Sequence, residues 1–366
     1  MPQSRSTKRP NSSKKMQPHR EEQAELPGLP PAALEAAEGP FFDPLRFAGP
    51  EGREERSRFR KIVYSYYNEH GRSFPWRNTH DPWAVLVSEI MLQQTQTERV
   101  VPKYKEFMLH FPTAASLASA PLSELLPIWS GLGYNRRALA LKRAAAQIVE
   151  LYGGVLPADE EKLDGLDGVG PYTARAVMAF AFGYPSAFIE TNIRSVFIYH
   201  FFPGAEIVSD REIEPLVSAA LDSDDPRSWY YALMDYGVAL KKKTGNPSRR
   251  SSAYARQSPF AGSHRRIRGA VLRELSLGRP GQQNRGAEDG LFAAENSAAA
   301  ALGTAEVEGR NARPLSRDEL ARRLPFAREG VEKAVDELIA EGFIEERKGM
   351  LSPAGQKTGS GTKDRG

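Results

Sequence analysis

From Arg58 to about Leu240 apolar residues return every three or four positions, and alternation of β-branched residues is scarce. Gly or Pro interrupts the pattern at intervals of roughly 15–20 residues. That period belongs to helices that each bury one face. It predicts ten helices, beginning near Arg58, Asp81, Ala114, Leu122, Asn135, Glu160, Pro171, Asn192, Asp210 and Pro226. The start at Asp81 is the most explicit, since Asp is a good N-cap and Pro82 suits the first turn. Residues 1–55, rich in Pro, Ser and charge, are expected to form a mostly disordered basic arm. Residues 276–313 carry few bulky apolar side chains and read as a flexible insertion, and 356–366 as a disordered tail. Around the insertion runs a smaller helical pattern: 267–275, then 315–324 with Ser316 as N-cap and Glu319 completing a capping box, then 328–344. EERKGMLSPAG follows and suits a short β-hairpin. Helix, helix–turn–helix and hairpin outline a winged helix. The expected fold class is therefore all-α, with one domain over 56–257 and a winged-helix domain over 258–355.

At 366 residues the chain is long enough for two domains plus tails. Forty per cent of residues are hydrophobic, but no run approaches the roughly 18 apolar residues of a membrane span. Residues 1–20 are basic and lack an apolar stretch, which argues against a secretory signal and for a cytoplasmic, nucleoid-associated location. The chain has no cysteine, which removes disulfides, thiolate nucleophiles, zinc–thiolate sites and cysteine-ligated iron–sulfur clusters together. Net charge is only +4, yet 241–268 holds nine Lys or Arg and no acid, with Lys241, Lys242 and Lys243 in a row. Such a run is either a solvated loop or a phosphate-binding surface.

Three stretches carry candidate chemistry. In LDGLDGVGPYTARAVMAFAFG (163–183), Gly168-Val169-Gly170 makes a tight turn and Pro171 opens a helix of small and apolar residues. Glycines allow close backbone approach, and the free N–H groups of a new helix attract an anion. The turn is either an ordinary corner or a clamp for a DNA phosphate, and the full GVGPYTA pattern, with Ala174 small enough for close helix contact, favours the clamp. In SEIMLQQTQT (88–97), Glu89 stands in a wholly apolar helix that ends in a polar tip. In AFIETNIRSV (187–196), Glu190 precedes a helix start, where an acid would offset the helix dipole if it did nothing else. These two acids occupy the most apolar contexts in the chain. Burial raises a carboxyl pKa, and a helix N-terminus lowers one. Two acids pushed in opposite directions are what glycosidic cleavage requires, one donating a proton and the other facing a sugar cation.

FPWRNTHDPWAVLVSEIMLQQTQTERVVPKYKEF, PIWSGLGYNRRALAL, LDGVGPYTARAV and FIETNIRSV, in that order from about Phe74 to Gly237, resemble the helix–hairpin–helix DNA glycosylases, most closely the MutY-type adenine glycosylases. The resemblance implies a two-lobed helical domain acting on double-stranded DNA with a mismatch or lesion. It places Glu89 as the catalytic acid that protonates adenine at a ring nitrogen and prepares the water. Glu190 and Asn192 match the second catalytic segment, where the family carries Asp in place of Glu190. Ser195 departs from the family arginine in the same segment. Tyr172 stands where bifunctional relatives carry a Schiff-base lysine, which implies hydrolysis without strand cleavage. Trp76 and Arg77 match pocket residues for the extruded base. Gln94 and Thr95 match residues that enter the base stack, and Leu132 and Tyr134 the wedge beside the flipped nucleotide. Gly168, Val169, Gly170 and Thr173 match the phosphate clamp, where relatives also hold a monovalent cation on the carbonyls of 165–170. The four-cysteine iron–sulfur loop expected after MDYGVAL is replaced by basic residues over 241–257, so Lys241–Lys243 are expected to contact phosphates directly without a cluster. The C-terminal 8-oxoguanine-sensing domain of the family is replaced by the winged-helix pattern. Thymine or uracil opposite guanine, or a damaged purine, are alternative substrates; a DNA-binding relic without chemistry is a further alternative.

Overall fold

The computed structural model describes residues 41–255, 263–277 and 314–355. The expectations for 1–40, for most of the insertion at 276–313, and for the tail lie outside these residues. Folding begins earlier than the sequence pattern indicates. Asp43 caps a short helix, α1 (Pro44–Ala48), by accepting the Leu45 and Arg46 amides. Its Phe47 and the preceding Phe42 are buried against Phe59 and Phe201. Residues 41–55 therefore belong to the domain and not to a disordered arm. Two isolated aromatic anchors, too few to show a period, hold them in place.

α2 (Arg53–His70) leads through a 3₁₀ turn (Pro75–Asn78) into α3 (Pro82–Leu92). Asp81 caps α3 through the Trp83 amide at 3.1 Å, as its sequence predicts. α4 (Thr97–His110), a separate helix, was absent from the ten predicted. Gln93–Gln96 break the chain after α3, and the internal Pro102 disguises the second helix. α5 (Ala114–Ser119), α6 (Leu122–Trp129), α7 (Arg136–Tyr152) and α8 (Glu160–Asp164) follow. Next come α9 (Pro171–Phe182), α10 (Thr191–Phe201), α11 (Asp210–Ala220) and α12 (Pro226–Thr244). α4–α7 pack into one lobe, and α1, α2 and α10–α12 into another. α3 and α9 pack on each other, α3 reaching α4 and α7 and α9 reaching α12, so these two helices join the lobes. A site on α3 and α9 thus lies between the two lobes.

The C-terminal residues form α13 (His264–Leu277), α14 (Arg317–Arg323), α15 (Arg328–Ala340) and an antiparallel hairpin of β1 (Ile344–Arg347) and β2 (Met350–Pro353). α13 packs on α15 and β2 and also on α6 of the larger domain. Ser316 caps α14 through the Glu319 amide at 3.2 Å. Glu319 does not close the expected capping box, because its carboxylate pairs with Arg323 one turn on.

Candidate active site

α3 is buried from Trp83 through Met91, and Glu89 is the acid within it, 7% exposed. From the first turn of α9, the Tyr172 hydroxyl donates to Glu89 Oε2 at 3.3 Å. Burial pushes the Glu89 carboxyl up to about 7; the phenol hydrogen bond and Arg77 oppose the rise, and the nearby charge of Glu190 adds to it. A large fraction of Glu89 therefore holds its proton near neutral pH. Tyr172 itself is raised well above the ordinary phenol value by burial and by both carboxylates, so it can serve as a donor but not as a base.

Glu190 caps α10. Its Oε1 accepts the Asn192 and Ile193 amides at 2.7 and 2.8 Å, and its Oε2 accepts Asn192 Nδ2 at 3.1 Å. The sequence led to a lowered pKa here, and the structure corrects that direction. Burial raises Glu190, and the two amides, Lys241 and Arg194 offset only part of the rise. The contrast with Glu89 survives in the partners, three hydrogen-bond donors against one phenol. Gly237 of α12 makes the cap possible, because a Cβ there would stand 2.5 Å from the Asn192 carbonyl oxygen.

The pocket residues expected from sequence are less available than anticipated. Trp76 is 3% exposed, packed against Phe74 and Tyr104. Arg77 is committed to Asp235, with Nη1 and Nη2 donating at 2.8 and 2.9 Å, and it lies over the Tyr231 ring. Burial alone would raise Asp235, but Arg77 and Arg72 outweigh it and hold the carboxyl below its usual value. Arg77 therefore acts as the positive wall beside Glu89, its guanidinium fixed by a buried ion pair.

At the rim, Gln94 is exposed with φ of 54°, and Tyr134 is 37% exposed with φ of 48°. Both are left-handed conformations that an L residue adopts only when its surroundings impose them. Leu132, expected as a wedge, is 2% exposed and packed inward. Arg137, which the sequence reading passed over, organises this rim. It donates to the carbonyls of Ile90, Met91 and Gln93 at 2.8, 3.0 and 2.5 Å, and to Thr95 Oγ1 at 2.9 Å. It also reaches the carbonyls of Leu132 and Gly133. One guanidinium thus caps the C-terminus of α3 and ties the Gln93–Thr95 tip to the Leu132–Tyr134 loop. Its place directly after GLGYNR was the available signal. Beside it, a cleft of about 190 Å³ is lined by Ile90, Gln93, Arg136, Arg137, Ala140 and Gly168.

The hairpin between α8 and α9 presents Gly168 and Gly170, while Leu166 and Val169 anchor it in the core. Gly168 has φ of +75°, and a Cβ there would meet Ala140 at 2.7 Å, so glycine is required on two counts. The Thr173 side chain is buried and accepts from Gln93 Nε2 at 3.4 Å, so it faces the protein and not a phosphate. Lys242 and Lys243 are exposed at the end of α12. Lys241 is not: its Nζ donates to Asn192 Oδ1 at 2.8 Å. The expectation of a phosphate contact therefore fails for Lys241, which α12 turns toward α10. Among the described residues no group of His, Asp or Glu could hold a metal ion.

Residues 87–221 match the family model of the HhH-GPD superfamily base excision DNA repair proteins. The chain is 32% identical over 194 residues to an adenine DNA glycosylase of Buchnera aphidicola, covering 52% of this chain and 54% of that protein. It is 32% identical over 229 residues to an adenine DNA glycosylase of Mycolicibacterium smegmatis, covering 57% of this chain and 78% of that protein. It is also 37% identical over 139 residues to a thymine/uracil-DNA glycosylase of Pyrobaculum aerophilum, covering 37% of this chain and 60% of that protein. The chain thus spans about half the length of the first of these relatives and most of the second.

Proposed function

The chain belongs to the HhH-GPD superfamily of base excision DNA repair proteins, and from that membership we propose that it is a monofunctional DNA glycosylase. Its substrate would be double-stranded DNA carrying a mispaired base, with adenine opposite guanine or 8-oxoguanine as the first candidate. The observation that carries this reading is the meeting of Glu89, Tyr172 and Glu190 between the lobes, with Tyr172 Oη 3.3 Å from Glu89 Oε2 and the Glu190 charge felt by both. A base extruded from the stack would lie against Glu89. The protonated carboxyl donates to a ring nitrogen, and the N-glycosidic bond breaks with its electrons going to the base. Ionised Glu190 faces the sugar cation that remains, and water adds to the anomeric carbon as its proton passes to the deprotonated Glu89. Tyr172 orients Glu89 and carries no amine, so no imine to the sugar forms at that position. The hairpin glycines and the N-terminus of α9 supply amides for a phosphate, and exposed Lys242 and Lys243 add charge.

Duplex oligonucleotides, each with one mismatch, test the reading by alkali cleavage of the abasic product. Release of adenine opposite guanine or 8-oxoguanine is expected. No cleavage of any adenine mismatch overturns the adenine assignment. Release of thymine or uracil opposite guanine alone would favour the second reading, which the similarity to the Pyrobaculum enzyme supports.

A further inference from the structure

Lys241 opens the segment that stands where the family resemblance leads one to expect a cysteine-rich loop, yet it faces the catalytic end of α10. Its Nζ donates to Asn192 Oδ1 at 2.8 Å, and Asn192 Nδ2 donates to Glu190 Oε2 at 3.1 Å. An ammonium can only donate, so it selects the asparagine rotamer with oxygen toward α12 and nitrogen toward Glu190. The other carboxylate oxygen is already held by two backbone amides. Lys241 therefore completes a directional chain, ammonium to amide to carboxylate, in which each donor points toward the negative charge. The remaining charged groups around Glu190 are accounted for. Glu89 from α3 and Tyr172 from α9 each have their own ionisation disfavoured by the Glu190 charge, and neither offers it a positive partner. Arg194, on α10 itself, also favours the Glu190 charge through space, but its guanidinium is held by Asp210 in a two-point ion pair at 2.7 and 2.6 Å and makes no hydrogen bond to Glu190. Gly237, one turn before Lys241 on α12, lets that helix approach the Asn192 carbonyl closely enough for the lysine to reach.

We propose that Lys241 is a positioning residue that, through Asn192, keeps Glu190 ionised and aimed at the sugar cation, a role separate from the phosphate contacts of its exposed neighbours. The inference rests on the reading of Glu190 as the group that faces that cation. It also gives the first residue of the cluster-replacing segment a task in the site. The lysine is partly buried, and burial lowers its own pKa while the charge of Glu190 supports its protonated form, so the two charges sustain each other.

The full chain carrying Lys241→Met, Lys241→Gln or Lys241→Arg provides the test. Loss of a charge-assisted hydrogen bond predicts that Met and Gln each lower single-turnover base release by about 10- to 100-fold. Arg, which keeps a cationic donor, should recover most of the rate. In the Met and Gln variants the acidic limb of the rate profile should move to higher pH, because Glu190 then binds its proton more readily. A duplex holding a cationic pyrrolidine in place of the target sugar should lose its binding advantage over a plain abasic duplex, with plain-duplex affinity held. Equal rates and equal acidic limbs in wild type and Met variant overturn the proposal. So does a uniform loss of affinity for all duplexes with a shallower salt slope, which would make Lys241 a phosphate contact. If wild type releases no base at all, the proposed function fails, and carboxyl ¹³C titration then decides the inference alone. A Glu190 pKa raised by Lys241→Met supports it, and an unmoved one overturns it.

Discussion

Glu89 and Glu190 both come from apolar stretches and both have their pKa raised by burial, but their surroundings differ in what they offer a negative charge. Glu89 lies in the last turn of a buried helix, with one phenol as its hydrogen-bond partner. Glu190 lies at the mouth of a helix, with two backbone amides and an asparagine backed by a lysine. Burial alone does not separate an acid from a base, since it acts on both. The number and direction of donors separates them: the proton stays on the carboxyl with the fewest. A pair of this kind can divide the labour of glycosidic cleavage without any metal or covalent intermediate.

The harshest way to break the comparison is Glu89→Gln. Base release should fall by about 10³-fold or more, in line with loss of a general acid, while duplex affinity stays within a few-fold. Equal turnover in variant and wild type would remove Glu89 from the chemistry. Glu190→Gln keeps an oxygen for the helix cap, removes the charge and replaces the acceptor of the Asn192 Nδ2 bond with a donor. It should lower single-turnover release by about 10²-fold, the usual scale for one electrostatic contact to a developing charge. A larger loss for Glu190→Gln than for Glu89→Gln would reverse the assigned roles.

pH separates the pair without mutation. Glu89 releases its proton at about 7 in the folded protein and near 4.5 when unfolded. Base release should therefore decline as pH rises through about 7. Between those values Glu89 binds its proton in the folded state and not in the unfolded chain, so its own contribution to stability is full below 4.5 and falls until the proton is lost near 7. The span corresponds to about 3 kcal/mol. Thermal unfolding of Glu89→Gln should lack this decline and exceed wild type in stability at pH 8; a parallel pH dependence in both would show that Glu89 is not the buried acid.

How much of this was legible in the sequence depends on whether the information was local. Asp81-Pro82, the glycine hairpin and the two embedded acids each announce themselves within a few residues, and the structure puts them where the spacing predicts. The direction of the Glu190 shift did not follow, because it is a balance between the burial that packing of other helices imposes and the donors of its own helix and of Lys241 from α12. Phe42 and Phe47 look like part of a polar arm until α10 supplies Phe201 to pack on them. Leu132 and Trp76 were assigned to recognition by resemblance, yet both lie inside the protein. Arg137 looks like one of two surface arginines at a helix start, and only the fold brings the carbonyls of α3 to it. A one-dimensional pattern shows which residues favour burial, and long-range contacts decide which polar groups must follow them.

The smallest predicted effect concerns the lysines that remain outside the site. Lys242 and Lys243 are exposed where Lys241 is not, so Lys242→Ala/Lys243→Ala should act on DNA through charge alone. Each phosphate contact contributes roughly 0.9 to the slope of log affinity against log salt, so the double variant should flatten that slope by up to about 2. All duplexes should weaken alike, matched or mismatched, because a phosphate carries no base identity. The acidic limb of the rate profile should stay in place, since neither lysine is joined to Asn192. A shifted limb would mean that the whole basic run, and not Lys241 alone, sets the charge of Glu190, and the division between the two environments would then be electrostatic at long range instead of built from directed hydrogen bonds.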